Sequence, residues 1–159
     1  MAPSVHQISV SKGGVPKLPV ASARVLVEGV EGDWQRDRKH HGGPDRAVCL
    51  FPLSLIEKLR AEGHPISPGT IGENLTLAGM TTQEWASLAP GARLAFAGGV
   101  RLEIVSFCNP CSNIRDSFRD LQFTRVKQDL HPGSSRLYAR VLAEGTIETG
   151  EALTIEASG

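Results

Sequence analysis

Arg93-Leu-Ala-Phe96-Ala-Gly-Gly99-Val-Arg-Leu-Glu-Ile-Val105 is the stretch that decides the fold. Two β-rich runs flank Ala97-Gly98-Gly99. Gly-Gly fits a two-residue hairpin turn, because the favoured turns need positive φ. In such a hairpin Leu94, Phe96, Leu102 and Ile104 share one buried face. Immediately downstream come Cys108-Asn109-Pro110-Cys111 and a run in which Ile114, Phe118 and Leu121 recur at the spacing of a helix of some three turns. Upstream, Thr81-Thr-Gln-Glu84 has the form of a capping box opening a short helical turn around Trp85.

Further out the same punctuation repeats. Val5, Ile8 and Val10 suggest a first strand, Ala23, Val25 and Val27 another, and Ala47 to Phe51 a short buried one. Pro52 sits where a helix can begin, Leu55, Ile56 and Leu59 follow at helical spacing, and Gly63 offers a stop. Glu73 to Leu77 reads as a strand, as do the alternating Leu137, Ala139 and Val141 and the final pair Leu153 and Ile155. Strands this close in sequence, joined by short turns, predict a mainly β protein. The expected architecture is a closed or partly open antiparallel β-barrel with two or three short helices.

Composition sets the outer bounds. The chain has 159 residues, enough for one domain spanning 1–159. Seventeen glycines and ten prolines against 5% aromatics favour turns over long helices. Lys+Arg and Asp+Glu are both 17, so bulk electrostatics give no reason to expect a nucleic-acid partner, although a local cationic pocket stays open. No apolar run approaches the ~20 residues of a membrane span, so no membrane association is expected. The N-terminus lacks the pattern of a secretory signal. Three cysteines cannot form a closed disulfide framework, which suits a reducing cytoplasm.

Several residues could carry chemistry. Cys111 follows a strong strand and precedes a segment with helical potential, a placement that favours the thiolate. A thiolate can attack, carry sulfur or bind a soft metal; a free cysteine can equally be a small buried hydrophobe. Cys108 and Cys111 form C-x-x-C, open to a redox dithiol or half a zinc site with His40, His41 and Cys49 as the clustered candidates. Lys39-His40-His41-Gly42-Gly43-Pro44-Asp45-Arg46 can hold an anion through glycine N–H groups and basic side chains, or be a solvated turn. Gly72-Glu73-Asn74 could read the polar edges of a heterocycle, or be a glycine turn into a strand. Tyr138 and Arg140 share one strand face, which could line a cavity or face solvent. Trp34 and Trp85 read as packing anchors.

Four elements, in this order, resemble the MOSC domain, named for the C-terminal domain of molybdenum-cofactor sulfurases. They are Gly32-Asp33-Trp-Gln35…His41-Gly42-Gly43-Pro44-Asp45-Arg46, Gly72-Glu73-Asn74-Leu75, Arg101-Leu-Glu-Ile104…Asn109-Pro110-Cys111, and Tyr138-Ala-Arg140-Val141…Gly145…Gly150-Glu151. Val15-Pro16-Lys17 behind Gly13-Gly14 resembles small stand-alone members. The resemblance implies a barrel like the small one of pyruvate kinase and a pocket for the molybdenum cofactor (molybdopterin). It makes Cys111 the metal ligand or carrier of transferable sulfur. It implies that His41, Gly42, Gly43 and Arg46 contact the pterin or its phosphate, that Gly72, Glu73 and Asn74 line the pocket with Tyr138 and Arg140, and that Asn109 lies beside the cysteine.

Two activities follow from the resemblance. One is reduction of an N-hydroxylated small-molecule substrate at a Cys-ligated molybdenum, with a redox donor. The other is a Cys111 persulfide charged by an external cysteine desulfurase. A non-catalytic barrel that binds an anion or a partner is the alternative from another class. No pyridoxal phosphate is expected, since that belongs to a separate desulfurase domain. The sequence departs from the family three residues before the cysteine, where arginine is frequent and Cys108 stands here. The change removes a guanidinium suited to anions and adds a thiol able to resolve an oxidised Cys111.

Overall fold

Ala97, Gly98 and Gly99 close the hairpin between β7 (Arg93–Phe96) and β8 (Arg101–Phe107). In the computed structural model, which describes residues 2–34 and 43–156, the turn has three residues rather than two. Phe96 N donates to the Val100 carbonyl and Gly99 N to that of Phe96, both at 2.9 Å. Gly99 takes the required positive φ of 106°. Leu94, Phe96, Leu102 and Ile104 all enter the core as their alternation requires.

The other strands are β1 (Ser4–Val10), β2 (Leu18–Val20), β3 (Ser22–Leu26), β4 (Gly29–Val30), β5 (Val48–Pro52), β6 (Leu75–Ala78), β9 (Leu137–Ala143), β10 (Gly145–Glu148) and β11 (Leu153–Glu156). One sheet runs β11-β7-β8-β9-β5-β6-β1-β2, and a smaller one runs β10-β3-β4. The pairing is antiparallel except between β5 and β6. Helix α1 (Leu53–Ala61) makes that parallel crossover, burying Leu55, Ile56 and Leu59. The strands are not closed by a continuous ladder. β1, second from one end of the larger sheet, meets the residue before β11 in one isolated Ser4–Ala152 bridge, where Val5 N donates to the Glu151 carbonyl at 2.9 Å. The protein is thus mainly β with short helices, and its sheets remain open.

Helix α2 (Thr82–Ala86) opens on the expected capping box: Glu84 N donates to Thr81 Oγ1 at 3.0 Å and Thr81 N to Glu84 Oε1 at 2.9 Å. Trp85 is the packing anchor its position suggests, edge-on to Phe51 with Nε1 donating to the Ser135 carbonyl at 3.0 Å. The helix expected after Cys111 is instead three 3-10 turns, Ser112–Ser117, Arg119–Leu121 and Phe123–Val126. Positive φ at Asp120 and Leu121 breaks the α-helical path. Ile114 and Phe118 are still buried, but Leu121 is exposed. No helix among the described residues is long and apolar enough to cross a membrane.

Candidate functional site

A cavity of about 320 Å³ opens between the Gly13–Lys17 loop, β5, the Ile71-Gly72 turn, the first residues after β8 and the start of β9. Cys111 sits on its wall, half-buried, where β8 has ended and the Ser112–Ser117 turn begins. Tyr138 and Gly72 also line it. Gly72 has φ 88°, and a Cβ there would lie 3.2 Å from Val15 Cγ1, 3.9 Å from Lys17 Cε and 4.0 Å from Arg136 Nη1. The missing side chain is therefore part of the cavity itself.

The other residues expected at the site are placed differently. Arg46, at the end of the Pro44–Arg46 turn, lies 5.6 Å from the centre of the Tyr138 ring, in cation–π range on the aromatic wall. Gly43 is exposed at the start of that turn. Glu73 and Asn74 lie wholly buried behind the cavity. Asn74 is a structural clamp: its Oδ1 accepts from Cys49 N at 3.0 Å, and its Nδ2 donates to Asp33 Oδ2 at 2.9 Å. Asn109 is exposed and outside the lining. Arg140 points to the outer surface, where Nη2 pairs with Glu103 Oε1 at 2.5 Å. His41 and Gly42, with His40 and Lys39, lie outside the described residues.

Sequence reading missed the cations of the cavity. Lys17 lines it, with Nζ 2.6 Å from Asp33 Oδ2 and both side chains buried. Ser11 N donates to Asp33 Oδ1 at 2.9 Å, so the Gly13–Gly14 loop is held by the same carboxylate. Arg136 also lines the cavity and is only 7% exposed. Its Nη1 donates to the Ile71 carbonyl at 2.7 Å, while its buried Nε has no hydrogen-bond partner among the described residues. Trp34, read as a packing anchor, is 46% exposed and lines the cavity.

Titration separates the sulfurs and acids by environment. The Cys49 thiol is pushed well up, first by its hydrogen bond to Cys108 and then by burial. Burial and the two neighbouring thiols push the Tyr138 phenol up as well. Cys49, Cys108 and Tyr138 form a small buried cluster. The Cys49 thiol is thus held protonated, and inert buried thiols of this kind are structural. Glu73 is pushed up to about 7 by burial. One of its oxygens, Oε2, accepts from Thr76 Oγ1 at 3.2 Å, whereas Oε1 has no hydrogen-bond partner among the described residues. No group of three or more His, Cys, Asp or Glu among the described residues could hold a metal by itself. The C-x-x-C pair is therefore not completed into a zinc site there. Cys111 is the one half-exposed thiol among the three, and a metal using it needs ligands from elsewhere.

The family profile described as MOSC domain matches residues 37–154. A Bacillus subtilis (strain 168) protein, YflK, described as uncharacterized, is 34% identical over 151 residues, covering 92% of this chain. The match takes in 64% of that relative's length, so the chain spans less than two thirds of it. Protein YiiM of Escherichia coli (strain K12) is 36% identical over 72 residues, 42% of this chain and 32% of that protein. Among solved structures, YiiM from Geobacillus stearothermophilus superposes with a TM-score of 0.71 at 26% identity, covering 97% of this chain and 75% of the other. The YuaD protein from Bacillus subtilis gives a TM-score of 0.80 at 17% identity over 100% of this chain and 98% of the other, a likeness of fold.

Proposed function

The chain belongs to the MOSC domain family, and from that premise we propose that its cavity binds the molybdenum cofactor, with Cys111 supplying a sulfur ligand. The observation that carries this reading is the half-exposed Cys111 thiol opening on a cavity of about 320 Å³. The residues present fit the group. A thiolate is the soft donor such a metal prefers, and the absent Cβ of Gly72 leaves space that a side chain would fill. The aromatic surfaces of Trp34 and Tyr138 suit a planar heterocycle.

Bound there, the cofactor would supply a two-electron redox centre for reducing the N–O bond of a small N-hydroxylated substrate. The protein's own part is to hold and orient. Cys111 would hold the metal, and the Arg46–Tyr138 contact stiffens one wall. His41, Gly42 and Gly43 would contribute N–H groups and charge toward the pterin. Cys49 and Cys108, both buried, stay out of the chemistry. Electrons come from an external donor, and three free thiols suit a reducing cytoplasm. The same reading takes the Ser4–Ala152 bridge as the seam of a small barrel.

Metal and pterin analysis tests the reading on protein from a cofactor-competent host, wild type beside Cys111→Ser. The expected result is molybdenum and pterin in the wild type and at least a tenfold lower molybdenum content in the variant. Equal molybdenum in both removes the ligand role. Cyanide-releasable sulfur on Cys111 without molybdenum assigns a persulfide carrier instead.

A further inference from the structure

We infer that His64 is a proton-operated latch on one wall of the cavity: uncharged, its ring pins the turn at Arg119 and with it the segment that begins at Cys111; protonated, it releases that segment. This is regulation of the same cavity, and it rests on the reading that the cavity is the ligand site, whatever ligand it takes.

Cys111, Asn113 and Ile114 line the cavity, and they open the run of three 3-10 turns that ends at Val126. Such turns have poorer internal hydrogen bonds than an α-helix, so the segment depends on what holds it from outside. The loop after α1 does much of that holding. His64 is only 6% exposed and meets the Phe118 ring edge-on, with centroids 5.4 Å apart. Its Nδ1 accepts from Arg119 N at 3.0 Å. Arg125 Nε and Nη2 donate to the two Glu62 oxygens, each at 2.9 Å. The two residues after Arg119 are strained: Asp120 and Leu121 have φ of 56° and 58°. Residues other than glycine stay in that region only where their surroundings hold them there. The latch therefore sits where the backbone relaxes most on letting go.

The hydrogen bond fixes the charge state that closes the latch. A backbone N–H can only donate, so Nδ1 must be bare, and the neutral ring carries its proton on Nε2. A second proton would take Nδ1 and set N–H against N–H. The charges acting on the ring are Glu62, Arg125 and Arg119. Glu62 Oε1, 3.7 Å from Nε2, favours the charged ring, while the two guanidiniums oppose it. Glu62 is held below the usual carboxylate range, first by its hydrogen bonds to Arg125, and so keeps its charge in mildly acidic solution. Burial outweighs its pull and lowers the His64 pKa. Once released, the ring regains water and its ordinary value of 6.5. The open form thus takes up the proton first. The latch is at full strength above about pH 6.5 and weakens as pH falls below it.

The test is amide hydrogen exchange of the purified protein, corrected for intrinsic rates, from about pH 7.5 to about pH 5, the range in which histidine titrates. Protection of the Ile114, Phe118 and Arg119 amides should fall at least threefold toward acid, while the β7 and β8 amides do not fall. In His64→Asn, whose Oδ1 supplies an acceptor that does not titrate, the fall should vanish. The wild type gives a second readout that needs no variant to fold: at neutral pH the His64 ring nitrogen shifts should place its proton on Nε2. Unchanged protection, an equal fall in β7 and β8, a fall confined to Arg119, an undiminished fall in His64→Asn, or a neutral ring protonated on Nδ1 each overturns the inference. The measurement uses neither cofactor nor Cys111. Failure of the latch leaves the molybdenum reading intact, and a protein without molybdenum leaves the latch intact.

Discussion

Arg136 and Arg140 are the same residue type on one short stretch of chain, yet they have opposite surroundings. Arg140 lies at the protein surface, its side chain 49% exposed, sharing Glu103 with Arg93. Arg136, just before β9, is 7% exposed and faces a cavity with no carboxylate paired to it among the described residues. An exposed ion pair is screened, adds little and needs no ligand. A buried, unpaired guanidinium is tolerated where something else completes it. The lesson is that the incomplete cation, and not the more visible one, is the one that reaches the cavity.

The contrast can be broken from its buried side first. Glu73 lies near Arg136, and its carboxyl is pushed from 4.5 up to about 7 by burial. The native protein therefore binds a proton that the unfolded chain has lost in this window. That contribution to stability is fully present below about pH 4.5 and is lost as pH rises through about 7. The fall is on the order of 3 kcal/mol. Glu73→Gln, neutral at every pH, should flatten it, read from denaturant midpoints across that range. Parallel profiles for wild type and variant would show that Glu73 is not buried as a neutral acid.

At the exposed end the expected effect is smaller. Arg140→Ala should change stability by no more than about 0.5 kcal/mol, because both cations on Glu103 are solvent-facing. It should leave ligand binding alone. A loss above about 1 kcal/mol in chemical unfolding would mean that the outer pair contributes more than screened surface charge does.

Much of the fold was legible in the sequence because it follows short periodicities. Leu94, Phe96, Leu102 and Ile104 face the core as alternation requires, and Thr81 and Glu84 close the box their spacing implies. The segment after Cys111 was not, since its apolar spacing fits a helix while the backbone at Asp120 and Leu121 takes positive φ. The parallel β5–β6 pair was also missed, because periodicity says nothing about strand direction.

At the site, Cys111, Gly72 and Tyr138 come together on the cavity, although long stretches of sequence separate them. Arg136 could have been found, since alternation from Tyr138 puts it on the same face as Arg140. What alternation hides is where that face stops being interior. Opposite Tyr138 and Ala139 the register of β8 shifts between Ile104 and Ser106, and the turn bearing Arg46 covers Tyr138. A bulge of this kind re-aims neighbouring side chains. Lys17 was visible only as part of a motif, because its partner Asp33 is supplied by a distant loop.

The account depends on Cys111 being the accessible sulfur of the cavity, while Cys49, which also lines it, and Cys108 stay buried. Brief iodoacetamide treatment of the native protein, followed by peptide mass spectrometry, tests this directly. Cys111 should be alkylated, while Cys49 and Cys108, 4% and 1% exposed, react only after denaturation. Equal labelling of all three, or a Cys111 that stays unmodified in the native protein, would contradict it.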